Sequence, residues 1–295
     1  MLLPAFTFSA TASAVTAVGA SPVLVDVDPV TRNMAPEQLQ QAVENTLKTT
    51  SLRPKVVMPV DLYGLPADYA AINVIARTHG LTTVADAAQS FGAMVGEQRV
   101  GTLAPVTAIS FYPTKPLGAF GDGGAILTDD DAVAAAVQQI RNHGRDGSGE
   151  VSVRLGLTGR LDTLQAAVLL AKLEIFQDDL AARRRIAERY RQALKSFLQT
   201  PVCPEGVAPA WALYSLRVEE RDAVRQRLAQ AGIETGVYYR VPLHRHPAFA
   251  PWASSKEAYS VSEQLANEVL SLPIHPGLTD EDVDYVSEEL LQALS

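Results

Sequence analysis

A chain of 295 residues, 47% of them apolar, can bury a large core and has room for two structural units. Its formal charge is −8, from 25 basic against 33 acidic residues, and no basic cluster is interleaved with aromatics, which argues against nucleic acid as a partner. The single cysteine, Cys203, rules out an internal disulfide framework and fits a reducing compartment, read here as the cytoplasm.

Residues 2–20 are apolar and rich in small side chains. No Lys or Arg precedes Arg32, Pro4 comes early, and Ser and Thr break the run, so the segment does not read as a signal peptide. No apolar stretch is long enough to span a bilayer, so no membrane association is expected. Residues 22–28 read as a buried strand, and 36–47 as a helix with Leu39 and Val43 four apart. Residues 56–60 follow as a strand, 67–79 as a helix and 81–86 as a strand. Strands at 106–112 and 125–128 and a helix at 129–141 complete the series. Apolar strands alternating with amphipathic helices predict an α/β fold, a mainly parallel sheet sandwiched by helices. Asp26, Asp61, Asp86 and the loop around Lys115 collect at the C-terminal ends of these strands, the edge where open α/β sheets bind ligands.

Residues 143–159 are Gly-rich and polar, a long loop of the functional kind. Residues 160–198 read as one or two long helices. The first half (164–176) is apolar all round, which predicts burial, and the second carries a stripe of Leu180, Ala187, Tyr190, Leu194 and Phe197. The arginine run 183–185 reads as a solvated helix face. Beyond Pro201 a strand at 211–218, a helix at 221–231, a strand at 233–239 and two helices ending at Leu294 are expected. The chain therefore divides into a large unit, 1–198, and a smaller C-terminal α+β unit, 199–295.

Lys115 lies in the stretch Ser-Phe-Tyr-Pro-Thr-Lys-Pro-Leu-Gly-Ala-Phe-Gly-Asp-Gly-Gly, bracketed by prolines at a strand end and followed by Gly118, Gly121, Gly123 and Gly124. A lysine that forms a Schiff base needs such a setting, because its amine must be held and partly desolvated to act as a nucleophile near neutral pH. Asp86, followed by Ala-Ala-Gln-Ser, reads either as a helix N-cap or as the carboxylate that keeps a pyridine nitrogen protonated. With Lys115 on a following strand and Gln89 placed to donate to a ring phenolate oxygen, the second reading prevails. Ser110 is either a phosphate contact or an ordinary strand serine. The glycines lack dinucleotide-fingerprint spacing and precede a strand. His244 and His246 flank Arg245 without a carboxylate or cysteine set nearby, so no metal site is expected. His244 and His275 read as polar lining near a substrate.

These residues give the chain its resemblance to the DegT/StrS family of pyridoxal-phosphate-dependent sugar-nucleotide aminotransferases, of aspartate aminotransferase fold type I. The stretches PAFTFSATASAV, GASPVLVDVDP, PVDLYGLPAD, ADAAQSFGA, SFYPTKPLGAFGDGGA, GRLDTLQAAVLLAKLEIF, VYYRVPLH and LSLPIHPGLT carry it from Pro4 onward. SFYPTKPLG and RLDTLQAAVLLAKLEIF look most like the branch that aminates the 3-keto group of a UDP-linked N-acetyl uronic acid for surface polysaccharide, such as O-antigen. Glutamate is the implied amino donor. The resemblance implies that Lys115 forms the Schiff base and then shuttles protons, that Asp86 pairs with the pyridine nitrogen and Gln89 with the phenolate oxygen. Ser110 would contact the phosphate and Phe8 would stack on the ring. It also implies a homodimer with shared active sites, the loop before Arg160 reaching into the partner's.

Two departures bear on this. The family's Gly-x-Asn-Ser-Arg loop is here Gly156-Leu-Thr-Gly-Arg160, and Thr158 donates one hydrogen bond where an asparagine amide donates two. Arg160 is retained. Family members also complete an arm, a strand and a helix with a Gly-Thr phosphate motif before the position that Met1 matches. The chain therefore reads as truncated, with weaker cofactor binding and an uncovered sheet edge as expectations. The alternative is a catalytically impaired or regulatory relative with the same fold. A dehydratase on this fold would carry histidine in place of Lys115.

Overall fold

The computed structural model describes residues 1–253 and 259–294. In its first 128 residues the strands are β1 (Leu2–Pro4), β2 (Val23–Val25), β3 (Val56–Val57), β4 (Thr82–Asp86), β5 (Met94–Val95), β6 (Gln98–Arg99), β7 (Val106–Ser110) and β8 (Gly124–Thr128). Six of them form one sheet in the order β2-β1-β3-β4-β7-β8; all pairings are parallel except β7 with β8. Helices α1 (Ser9–Ala17), α2 (Pro36–Thr49), α3 (Tyr69–Thr78) and α4 (Asp131–Ile140) alternate with these strands, as the patterning predicts.

Local chemistry sets the helix ends. Pro36 opens α2, where its missing N–H costs nothing, and Leu39, Ala42, Val43 and Thr46 bury one face. Asp68 caps α3 by accepting from the Ala71 amide, and Asp130 caps α4 through the Ala132 and Val133 amides. β1, which carries too few residues for a periodic signal, lies inside the sheet between β2 and β3 with Leu2 and Leu3 fully buried. Each contributes roughly 1.5–3 kcal/mol of burial.

The second half begins with α5 (Thr163–Leu194), a single long helix, and continues through β9 (Val207–Ala208), β10 (Tyr214–Arg217), α6 (Arg221–Gln230), α7 (Ser260–Glu268), β11 (Val269–Leu272) and α8 (Asp280–Ala293). Ile186, Tyr190 and Leu194 of α5 share a core with Tyr214, Leu216, Leu228, Leu270, Val283 and Leu290. β9 pairs back onto β5, beside the central sheet.

Several expectations are corrected. Residues 233–239 do not form a strand; Gly236 alone bridges to Ser271. The antiparallel partner of β10 is β11, inside a run expected to be helical. Val269 follows α7 with no Gly or Pro to mark the change, and the four residues Val-Leu-Ser-Leu are too few to carry a period that tells strand from helix. The first half of α5 is buried on one face only: Leu169 and Phe176 sit in a core with Ala87 and Ile109, but Leu164 is 80% and Leu170 66% exposed, and Leu173 and Ile175 are exposed too, because no described element packs over that face. The outer edge of β8 is likewise unpaired among the described residues.

A further correction concerns Arg183, which is buried rather than solvated. Its Nη1 donates to the carbonyls of Trp211 at 3.0 Å and Ile274 at 3.1 Å, tying the chain before β10 and after β11 to α5. Arg184 stays exposed and Arg185 pairs with Asp280. Arg183→Ala leaves two carbonyls without their donor and should cost about 2–3 kcal/mol. A urea unfolding curve will show it as a lowered midpoint, with Arg184→Ala near wild type.

Candidate active site

Of the acidic residues at strand ends, two serve the fold. Asp26 accepts from the Val261 and Ser262 amides and from the Ser262 hydroxyl, capping α7. Asp61 is fully buried and bonded to Ala67, Tyr69 and Ser90. Asp86 ends β4, whose parallel neighbour β7 runs on into the lysine loop. No helix follows Asp86; its Oδ1 accepts from the Ala88 amide at 3.2 Å, starting a turn. Oδ2 accepts from Thr11 Oγ1 at 2.7 Å. Burial raises the Asp86 carboxyl above the ordinary carboxylate range, against the opposing pull of Thr11, the Ala88 amide and the nearby Lys115 charge.

Lys115 is half-buried, in a turn closed by its own amide donating to the Tyr112 carbonyl at 2.8 Å. Burial lowers its ammonium below the usual lysine value, and the Asp86 charge partly offsets this. Several neighbours fix the loop. A Cβ on Gly118 would stand 2.5 Å from the Pro113 carbonyl oxygen, so the turn over the lysine closes only on glycine. Lys172 Nζ of α5 donates to the Gly118 carbonyl at 2.7 Å, and Gln165 Oε1 accepts from the Phe120 amide at 2.8 Å. The loop that carries the amine is thus held in place, and the amine itself is partly desolvated.

Gln89 is buried on the turn after Asp86. Its Oε1 accepts from the Tyr63 amide at 2.6 Å and its Nε2 donates to the Tyr239 hydroxyl at 3.1 Å. Tyr239 brings a distant part of the chain to Gln89: its ring lies 5.9 Å from that of Phe8 and 6.2 Å from that of Phe6. Phe8 is 56% exposed, immediately before α1, whose Thr11 holds Asp86. Tyr239 thus joins Phe8 to Gln89, and Gln89 follows Asp86 on the turn after β4, beside the strand that leads to Lys115. Ser110, half-buried at the end of β7, accepts from the Tyr112 amide at 3.2 Å and so stands at the base of the lysine loop.

The other predicted residues lie elsewhere. Thr158 and Arg160 are exposed; Arg160 Nη1 donates to Asn142 Oδ1 at 2.7 Å, and Thr158 pairs through its backbone with Asn142 and by a 3.4 Å side-chain contact with His143. His244 is stacked on Tyr259 at 4.5 Å with Nε2 against Glu263 Oε1 at 3.1 Å, which engages it with α7 rather than with Asp86 or Lys115. His275 is exposed beside Gly277. Sequence reasoning did not single out Thr11, Tyr63, Lys172 or Tyr239. All four lie in stretches that carry the family resemblance, but each acts through a contact far along the chain. Among the described residues no three His, Cys, Asp or Glu are grouped to hold a metal ion, and no helix is long and apolar enough to cross a membrane.

A carboxylate at the end of β4, a partly desolvated lysine on the loop after the neighbouring β7 and an amide donor on the turn after β4 are groups that could hold a flat, electron-poor aromatic ring bearing a carbonyl. Comparison with known proteins gives the family. Residues 1–291 match the DegT/DnrJ/EryC1/StrS aminotransferase family. The chain is 42% identical over 291 residues to UDP-2-acetamido-2-deoxy-3-oxo-D-glucuronate aminotransferase of Pseudomonas aeruginosa, a match covering 98% of this chain and 78% of that protein. Its fold superposes with a TM-score of 0.96 on a DegT/DnrJ/EryC1/StrS aminotransferase from Brucella abortus, at 44% identity, covering 99% of this chain and 78% of that one. A Bacillus subtilis protein, NtdA, solved with bound cofactor PMP, is similar with a TM-score of 0.86 and 30% identity, covering 99% of this chain and 67% of that one.

Proposed function

This chain belongs to the DegT/DnrJ/EryC1/StrS aminotransferase family, and from that premise we propose that it moves an amino group from glutamate to the 3-keto carbon of a UDP-linked N-acetyl uronic acid. It is a pyridoxal-phosphate-dependent sugar aminotransferase. The residues present fit that cofactor. Asp86 offers a carboxylate fixed by Thr11 and the Ala88 amide, Gln89 an amide donor, Phe8 a ring face, and Lys115 an amine whose proton is loosened by burial. The placement of Asp86 and the Lys115 loop at the same ends of the adjacent parallel strands β4 and β7 carries the reading.

When bound, pyridoxal phosphate supplies an electron-poor ring that takes up the electron pair left on the substrate carbon as its proton departs. Asp86 would supply the negative charge that keeps the ring nitrogen protonated. Gln89, oriented by Tyr63 and Tyr239, would donate to the ring oxygen. Lys115 Nζ would take the proton from the carbon bearing the amino group and return it on the other side of the reaction. The Gly118 turn and Lys172 fix the loop that carries Nζ.

The substrate assignment draws on the 42% identical Pseudomonas relative. The dimer, with Thr158 and Arg160 serving the partner's site, is supported by the large apolar side chains that α5 leaves uncovered. A cytoplasmic enzyme of surface-polysaccharide synthesis is the corresponding setting. The test supplies ¹⁵N-glutamate with either a UDP-3-keto uronic acid or a dTDP-linked keto sugar and follows the label by mass spectrometry. Label in the UDP product alone is expected. Label in the dTDP product alone overturns the substrate assignment. A folded oligomer that forms no lysine linkage with the cofactor favours the silent or regulatory relative.

A further inference from the structure

Behind Asp86 lies a second carboxylate that the proposed reaction does not use. Asp61 is wholly buried, and its backbone amide donates to the Asp86 carbonyl at 3.0 Å, one of the two bonds of the parallel Val60–Asp86 bridge that prolongs the β3–β4 register. Its Oδ2 accepts from the Ser90 hydroxyl at 2.6 Å. Its Oδ1 accepts from the Ala67 amide at 2.9 Å and the Tyr69 hydroxyl at 2.8 Å. Two residues further on, the Tyr63 amide donates to Gln89 Oε1, and Gly64, at a φ of +94°, lies so close that a Cβ would stand 3.1 Å from the Gln89 carbonyl oxygen.

The turn 86–90, which carries both Asp86 and Gln89, is therefore gripped from one side by 61–64. Ser90 is itself fully buried, so without Asp61 its hydroxyl loses its recorded acceptor. Hydrophobic residues would fill that space more cheaply. Desolvation pushes the Asp61 carboxyl up to about 6, and the Asp86 charge adds to the rise, against the opposing bonds from Ser90, Ala67 and Tyr69. The titratable groups facing it are Asp86 from β4 and Tyr69 from α3.

We propose that Asp61 is a positioning residue of this site, a buried acceptor that holds the 86–90 turn so that Asp86 and Gln89 face Lys115. The proposal takes its functional meaning from the reading of the site given above, but its geometry stands without the cofactor. Asparagine fits the same role. Its oxygen keeps the Ala67 and Tyr69 bonds, and its amide donates to a Ser90 hydroxyl turned to accept. Alanine leaves three donors unpaired.

Amide hydrogen exchange on the unliganded protein tests this. In Asp61→Ala, exchange across 87–93 should rise about tenfold or more while β10 and β11 stay protected. Asp61→Asn should restore most of the protection. With pyridoxal phosphate titrated in, the alanine variant should bind at least about tenfold more weakly than the asparagine variant. If Asp61→Ala fails to fold, Ser90→Ala deletes one of the three bonds and should loosen the same segment. Unchanged exchange at 87–93 in a folded Asp61→Ala or Ser90→Ala overturns the proposal, and so does an asparagine variant as loose as the alanine one. A wild type that takes up no cofactor counts against the functional reading alone, since the exchange measurement decides the role of Asp61 independently.

Discussion

Lys115→Ala is expected to lose amine transfer by about 10⁴-fold or more, since proton transfer by a positioned base alone is worth ~10²–10⁴-fold and the covalent anchor goes with it. Lys115→Arg should fare no better. A guanidinium keeps the positive charge beside Asp86 but cannot lose its proton, so the arginine separates nucleophile from charge. The alanine variant should fold at least as well as wild type. Burial lowers the Lys115 ammonium, so the folded chain carries an electrostatic cost that is full below the folded value and fades as the pH rises through the unfolded one. Removing the group removes that cost at neutral pH. Single-turnover assays and a urea curve on the same preparation read both effects. Loss of activity together with a lowered midpoint would point to a structural lysine instead.

Asp86→Asn should reduce activity on the order of 10²- to 10³-fold, the scale expected when one preorganised electrostatic group is removed from an active site. The geometry survives this change. The introduced carboxamide would still accept from the Ala88 amide, and the Thr11 hydroxyl would turn to accept in place of donating. Stability should move the other way. Because burial raises the Asp86 carboxyl, its cost is absent below the unfolded carboxylate range near ~4 and grows as the pH rises through the folded value. Asp86→Asn should therefore match or exceed wild-type stability at pH 7 and lose that advantage in acid. A variant both inactive and destabilised at pH 7 would recast Asp86 as a structural residue.

The parts of this account visible in the sequence are those with local signals. The alternation from 22 to 141 carries period and turn chemistry, and it predicts the parallel sheet flanked by helices. Lys115 stands out because prolines and glycines crowd a strand end. Non-local facts stay hidden. β1 is three residues long, and its place in the sheet interior depends on distant partners, Leu2 pairing with both Val23 and Val57. Arg183 reads as one of three exposed arginines, since only the folded chain brings the Trp211 and Ile274 carbonyls to it. The apolar run in the first half of α5 predicts burial all round, but a run of that kind cannot say whether the cover over each face comes from this chain.

The site divides in the same way. Asp86, Gln89 and Lys115 share one edge because β4 and β7 are adjacent and parallel, an order no single segment encodes. The supporting groups, Thr11 below Asp86, Tyr239 across Gln89 and Lys172 under Gly118, sit 75, 150 and 54 residues from their partners.

The central claim is that Lys115 is the amine that binds pyridoxal phosphate. The direct measurement is to add the cofactor to purified protein, reduce with borohydride and map the peptides by mass spectrometry. The account predicts one reduced pyridoxyl group, on Lys115, that is absent in Lys115→Arg. A mark confined to another lysine, or none on folded protein, would contradict it.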